Sequence, residues 1–196
     1  FEFLYDGTRY LGSVTKNYQA TPSTSGLNAG LAHYWKLDES SGDAFDAVGS
    51  MTMTNANATQ FVSAKLGNGA DFEKDASTRF YTSDDMAGAP YTSYSSCLWF
   101  NLESFPSLND ESYNFIVSLD TPGSFDMRYI NLGGAPQLRF NHFIPDDYIS
   151  TTFGTVLSPG AWHFFCGTWD GNFTRIYLDG VQVGNTMPVS VTSNAN

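Results

Sequence analysis

Four carboxylates crowd the loop after Leu37: Asp38, Glu39, Asp43 and Asp46 all fall within KLDESSGDAFD. Hard divalent cations take six to eight oxygens, and acidic loops with free backbone carbonyls supply them. These four are therefore candidate calcium ligands, and calcium is the cofactor to which the sequence points. The competing reading is a solvated acidic loop on an acidic protein. Asp84-Asp85 and Asp146-Asp147 add two further acidic pairs. Sugar recognition needs flat rings for stacking together with hydroxyl-binding polar groups. Tyr91, Tyr94, Phe143 and Tyr148 are the aromatic residues set in loops, and they are the candidate ligand-binding residues.

No set of residues points to catalysis. His33, His142 and His163 show no metal-ligand spacing. The chain has no Gly-x-Ser-x-Gly elbow and no phosphate-cradling glycine loop, and neither Cys97 nor Cys166 lies in a Cys-His setting. The expectation is that this is not an enzyme. Each cysteine sits inside a predicted strand, where a small buried hydrophobe is the preferred reading over a disulfide. A bridge between them would place the protein in an oxidising compartment. Two Asn-x-Thr sequons, at Asn57 and Asn172, are no more than chance gives in a chain so rich in Asn, Ser and Thr.

The elements that must position these residues are strands. In Gly160–Gly184, two Asp-Gly pairs (Asp170-Gly171 and Asp179-Gly180) separate runs rich in aromatic and β-branched residues, which is a strong hairpin signal. A two-residue turn at Asp179-Gly180 sets Leu178 opposite Val181, Ile176 opposite Val183 and Tyr177 opposite Gln182. Four aliphatic side chains then share one face. Trp162 to Trp169 supplies the preceding strand of a meander. Between Tyr113 and Phe153 the runs YNFIVSL, FDMRYINL, PQLRFNHF and YISTTF alternate with Gly, Pro and Asp breaks, as short sandwich strands do. Leu31 to Leu37 reads as another strand. No helical i, i+3, i+4 apolar stripe extends over any long window. The fold class is all-β.

A chain of 196 residues is long enough to bury a proper core. With 9 basic residues against 20 acidic, the net charge of −11 disfavours nucleic acid and anionic lipid as partners. No apolar run approaches the ~20 residues of a membrane span. Residues 1–29 are expected to form a hairpin arm, turned at Asp6-Gly7, followed by a polar linker from Lys16 to Gly26. An isolated hairpin is marginal in water, so the arm must pack on the main domain, on an upstream domain or on a partner; a protein partner or another copy, met through residues 1–26, is the expectation. Residues 30–196 form the main domain.

Several motif blocks resemble the laminin-G-like branch of the concanavalin A-like lectin/glucanase superfamily. Trp162-His163, Thr168-Trp169-Asp170-Gly171 and Ile176–Val181 are similar to its "WH…DG…YvDG" strands. Tyr34, Trp35, Leu37, Asp38, Glu39, Ser41, Gly42, Asp46 and Gly49 match its opening pattern. Lys65–Phe72 resembles its "GkfGnAldF" block, and Ser93 onward, with Tyr94, Leu98, Trp99 and Phe100, resembles its "tiSfWv" strand. The resemblance spans residues 31 to 185. It implies a two-sheet antiparallel β-sandwich of jelly-roll type, with Trp35, Trp99, Trp162 and Trp169 packing in the core and His163 structural. It also raises glucanase activity, which needs two carboxylates ~5 Å apart. The Glu-x-Asp-x-x-Glu motif of the glucanase branch is absent, Glu73-Lys74-Asp75 being the nearest approach.

The family's closing strand has no counterpart past Val183, where the chain stops at MPVSVTSNAN. The expectation is a piece of a longer protein, the alternative being that Phe1 to Val14 replaces the missing strands. The functional expectation is a non-catalytic recognition or adhesion module binding a glycan or glycosylated surface. Its setting is extracellular, cell-surface or virion. The alternatives are a purely structural virion or surface component (capsid decoration or tail fibre) and an accessory domain of a glycoside hydrolase.

Overall fold

The computed structural model describes residues 30–73, 77–82, 92–104, 115–118, 125–144 and 147–189. The Asp6-Gly7 hairpin and the Lys16–Gly26 linker lie outside them. Strands are the only regular elements among the described residues. The chain divides into two compact units, one running to Ala87 with Ser96–Trp99 added, the other comprising Gly88–Ser95 and everything from Phe100.

The first unit is built from short pieces. Strand β1 (Thr54–Ala56) pairs antiparallel with β4 (Arg79–Tyr81), and β2 (Gln60–Ser63) with β3 (Asn68–Asp71). Leu31 to Leu37 is not the strand expected. Trp35 makes a single antiparallel bridge to Asp46, and Leu37 at φ 57° turns the chain away from extended geometry. What orders this stretch is the Asp46 carboxylate. It accepts the backbone N–H groups of Tyr34 (2.9 Å), Val48 (3.1 Å), Gly49 (2.8 Å) and Met51 (3.3 Å), and meets His33 Nδ1 at 2.6 Å. One side chain thus satisfies amides that a strand ladder would otherwise have to satisfy.

The second unit is a sandwich. Its first sheet runs β6 (Phe115–Ser118), β7 (Phe125–Leu132), β8 (Ala135–Ile144), β9 (Asp147–Gly154), all antiparallel. The other sheet has the order β12 (Val181–Pro188), β11 (Phe173–Leu178), β10 (Trp162–Trp169), β5 (Tyr94–Asn101), the last of these with its middle, Ser96–Trp99, counted in the first unit. The all-β, two-sheet antiparallel expectation holds. At Asp179-Gly180 both residues have positive φ (51° and 83°), as a tight hairpin turn needs. The register is the expected one, with Leu178 opposite Val181, Tyr177 opposite Gln182 and Ile176 opposite Val183. The Asp179 carboxylate also accepts the Phe164 N–H at 2.8 Å and meets His163 Nδ1 at 2.8 Å, so His163 has a structural role.

Alternate residues of β7 and β8 turn inward. Met127, Tyr129, Leu138 and Phe140 are buried, and Phe165 and Ile176 answer from the other sheet. Phe140 lies flat against Gly167, so closely that a Cβ there would overlap its ring. Thr151 of β9 and Thr174 of β11, both fully buried, share a hydrogen bond between their hydroxyls. Overpacking a filled core costs about 1–3 kcal/mol. Gly167→Ala is therefore expected to destabilise the protein by that amount, seen as a lower urea midpoint with unchanged m-value. An unaltered midpoint would mean that Phe140 moves aside freely.

The cysteines correct a sequence expectation. Cys97 and Cys166, the chain's only two, are not free thiols but are disulfide-bonded. Closing a loop of roughly 70 residues stabilises by about 4 kcal/mol in the chain-entropy account. Unfolding in urea with and without reductant is expected to show a loss of that order on reduction.

Candidate functional site

Period-two alternation sends the remaining residues of β7, β8 and β9 to the opposite, outer face. Across the ladder Asp126 lies opposite Asn141, and Asn141 opposite Ser150; Arg128 lies opposite Arg139, and Arg139 opposite Thr152. Phe143 faces Tyr148 at one end of the same face, their ring centroids 6.2 Å apart and edge to face. With Gln137 at its other end, one face thus carries a carboxylate, two carboxamides, two guanidinium groups, the hydroxyls of Ser150 and Thr152 and an aromatic pair.

Asp126 is the centre of this face. Its side chain is fully buried, and Arg128 holds it through both oxygens, Nε to Oδ1 at 2.8 Å and Nη2 to Oδ2 at 2.6 Å. Asn141 Nδ2 donates to Oδ1 at 2.9 Å. A buried carboxylate is tolerated only with such pairing, and removing the arginine alone would leave an uncompensated charge. Donating its amide hydrogen to Asp126 fixes the orientation of the Asn141 carboxamide. Its Oδ1 then has no partner, although the residue is 3% exposed, and the buried Oγ of Ser150 beside it is likewise unpartnered. Buried polar atoms are satisfied in all but a few instances per hundred residues. Asn141 Oδ1 and Ser150 Oγ are two such exceptions, adjacent on one face.

Phe143 and Tyr148 lie here, though on strands rather than loops, and Tyr148 is 48% exposed. Tyr94 does not join them. It is buried on β5, its hydroxyl 2.5 Å from His142 Nδ1, with its ring against Phe125, Phe140 and Trp169. Burial, with the Asp126 charge adding to it, pushes the Tyr94 phenol well above its usual pKa. Its reading as a contact residue is thereby corrected: an aromatic at the start of a strand turned inward. Tyr91, with Asp84-Asp85 and Asp146, lies outside the described residues.

Carboxylates of the acidic loop accept backbone amides. Glu39 Oε1 accepts the Phe45 N–H at 2.9 Å, Asp43 Oδ1 accepts the Asn55 N–H at 2.9 Å, and Asp46 is engaged as described. No three of Asp38, Glu39, Asp43 and Asp46 bring ligand atoms within 4.8 Å of one another. A nearby cleft lined by Ser40, Ser41, Asn55, Thr59, Gln60 and Phe61 has a volume of ≈ 170 Å³. That is below the ~300 Å³ at which small-molecule pockets begin.

Burial alone would raise the Asp46 pKa. The hydrogen bonds from Tyr34, His33, Val48 and Gly49 outweigh it and bring the group from 3.8 down to about 2. A lowered carboxylate pKa stabilises the fold above the unfolded value, and that contribution is lost as pH falls through the folded one. Asp46 is therefore expected to contribute about 2 kcal/mol above roughly pH 4, vanishing towards pH 2. In Asp46→Asn the difference in unfolding free energy between those limits should shrink by that amount. An unchanged difference would show that another group carries the acid sensitivity.

Asp126, Arg128, Arg139, Asn141 and Ser150 were not singled out from the sequence. The available signal was Gly133-Gly134, a two-glycine turn between FDMRYINL and APQLRFNHF, whose register alone sets Asp126 opposite Asn141. A laminin-G family model, described as the concanavalin A-like lectin/glucanases superfamily, matches residues 74–196 and so takes in every residue of this face. The blocks Tyr34–Gly49 and Lys65–Phe72, which also resemble that branch, lie outside the match. No curated protein and no solved structure matches the chain.

Proposed function

The chain belongs to the concanavalin A-like lectin/glucanases superfamily, and from that premise we propose that it is a non-catalytic recognition module binding glycan through the outer face of β7, β8 and β9. The observation that carries this reading is the pair of unpartnered polar atoms, Asn141 Oδ1 and Ser150 Oγ, beside the aromatic pair Phe143 and Tyr148. A sugar offers hydroxyl groups to the first two and the C–H face of its ring to an exposed aromatic side chain. Asp126 supports the non-catalytic half of the proposal. Both its oxygens are held by Arg128 and Asn141, an arrangement suited to a fixed frame for the face.

The disulfide fits an extracellular setting, where such bonds persist. Among the described residues no helix is long and apolar enough to cross a membrane.

Binding of the folded protein to a glycan array, in calcium and again in EDTA, tests the proposal. The expected result is a defined sugar class bound in both conditions, because this face organises its hydrogen bonds around an arginine. Tyr148→Ala and Ser150→Ala are each expected to lower affinity about tenfold, the equivalent of ~1.4 kcal/mol. Their circular dichroism and melting temperature should match those of the parent. Absence of binding by a folded sample would overturn the reading, as would binding that neither substitution weakens.

A further inference from the structure

Arg139 has no ionic partner among the described residues. Its one hydrogen bond runs from Nε to Gln137 Oε1 at 3.3 Å, a long and uncharged contact. The residue directly across the ladder is another arginine, Arg128. Like charges placed directly opposite one another destabilise a sheet. Asp126 neutralises Arg128 through both oxygens, and nothing does the same for Arg139. Scarcity of carboxylates is not the reason, since the chain has 20 acidic residues against 9 basic. Among the described residues, one carboxylate and two guanidinium groups leave this face with a single positive charge on an otherwise negative protein.

We propose that the glycan received here carries an isolated carboxylate, which Arg139 binds; the proposal rests on the glycan-binding reading above and specifies its ligand. A guanidinium fork matches the two oxygens of a carboxylate, and such charge-assisted pairs are about twice as strong as neutral hydrogen bonds. The neighbours fit the rest of an acidic sugar. Thr152, opposite Arg139, is exposed, and Asn141 Oδ1 and Ser150 Oγ lie one pair further along, towards Phe143 and Tyr148. Carboxylate, hydroxyls and ring face would thus be met in order along β8. The net charge of −11 repels a polyanion as a whole. This selects a single acidic unit, such as a uronic acid, within a neutral chain.

The test uses matched probes measured by calorimetry against the full chain. These are a neutral oligosaccharide ending in glucuronic acid, the same oligosaccharide ending in glucose, and the glucose form bearing one sulfate. The glucuronic acid probe is expected to bind about tenfold more tightly than the glucose probe, and Arg139→Gln should bring the ratio near one. Arg139→Lys, which keeps the charge but loses the fork, should give an intermediate ratio. Equal affinity for the acidic and neutral probes overturns this inference and leaves glycan binding standing. Tighter binding of the sulfated probe overturns the carboxylate assignment. Failure of all three probes, alongside an empty glycan array, overturns both readings. Melting temperatures of the variants confirm that the ratios are read on folded protein.

Discussion

In β7, β8 and β9 the residues at odd positions of one strand and those at matching positions of its neighbours must face the same way. A slip of one residue would reverse every side chain in the sheet. Met127, Phe140 and Thr151 lie across from one another on the inner face, while Asp126, Asn141 and Ser150 do so on the outer. The packing of Phe140 onto Gly167 fixes which face is inner. The polar constellation opposite it is thereby fixed too. Core and polar face are two sides of a single register.

The two units solve the problem of backbone hydrogen bonding in different ways. In the sandwich, long antiparallel ladders satisfy the amides and the side chains are left to pack. In the first unit the strands are three or four residues long, and carboxylates take over part of that work. Asp46 gathers four backbone N–H groups, and Glu39 and Asp43 one each. The acidic residues that suggest a cation site from sequence also tie down loop backbone in the fold. A carboxylate accepting several amides is a strong local organiser because each bond is charge-assisted.

Much of the sandwich could be read in advance, because its strands alternate and its turns are chemically explicit. Asp179-Gly180 set a register that the fold reproduces residue for residue. Leu31–Leu37 misled because its aromatic and aliphatic content resembles a strand, while the partner that orders it, Asp46, is a side chain and not a strand. The disulfide was hidden for a related reason: a cysteine in a buried strand looks the same whether bonded or not. On the candidate face, the aromatic residues stood out and the polar ones did not. Asp126, Arg139 and Asn141 are unremarkable residues in ordinary strands. Only their alignment across the ladder, and the bond that orients Asn141 while leaving its oxygen bare, distinguishes them.

The separation of duties along β8 has a consequence for engineering. Gln137, Arg139 and Phe143 project away from the core, and Tyr148 and Thr152 do the same from the adjoining strand. A library varying these five positions, with Asp126, Arg128 and Asn141 retained as a fixed frame, would vary the chemistry of this face without touching the residues that hold the sheets together. The strand would serve as a read-out rail whose alphabet can be rewritten while its spacing, set by the pleat, stays constant.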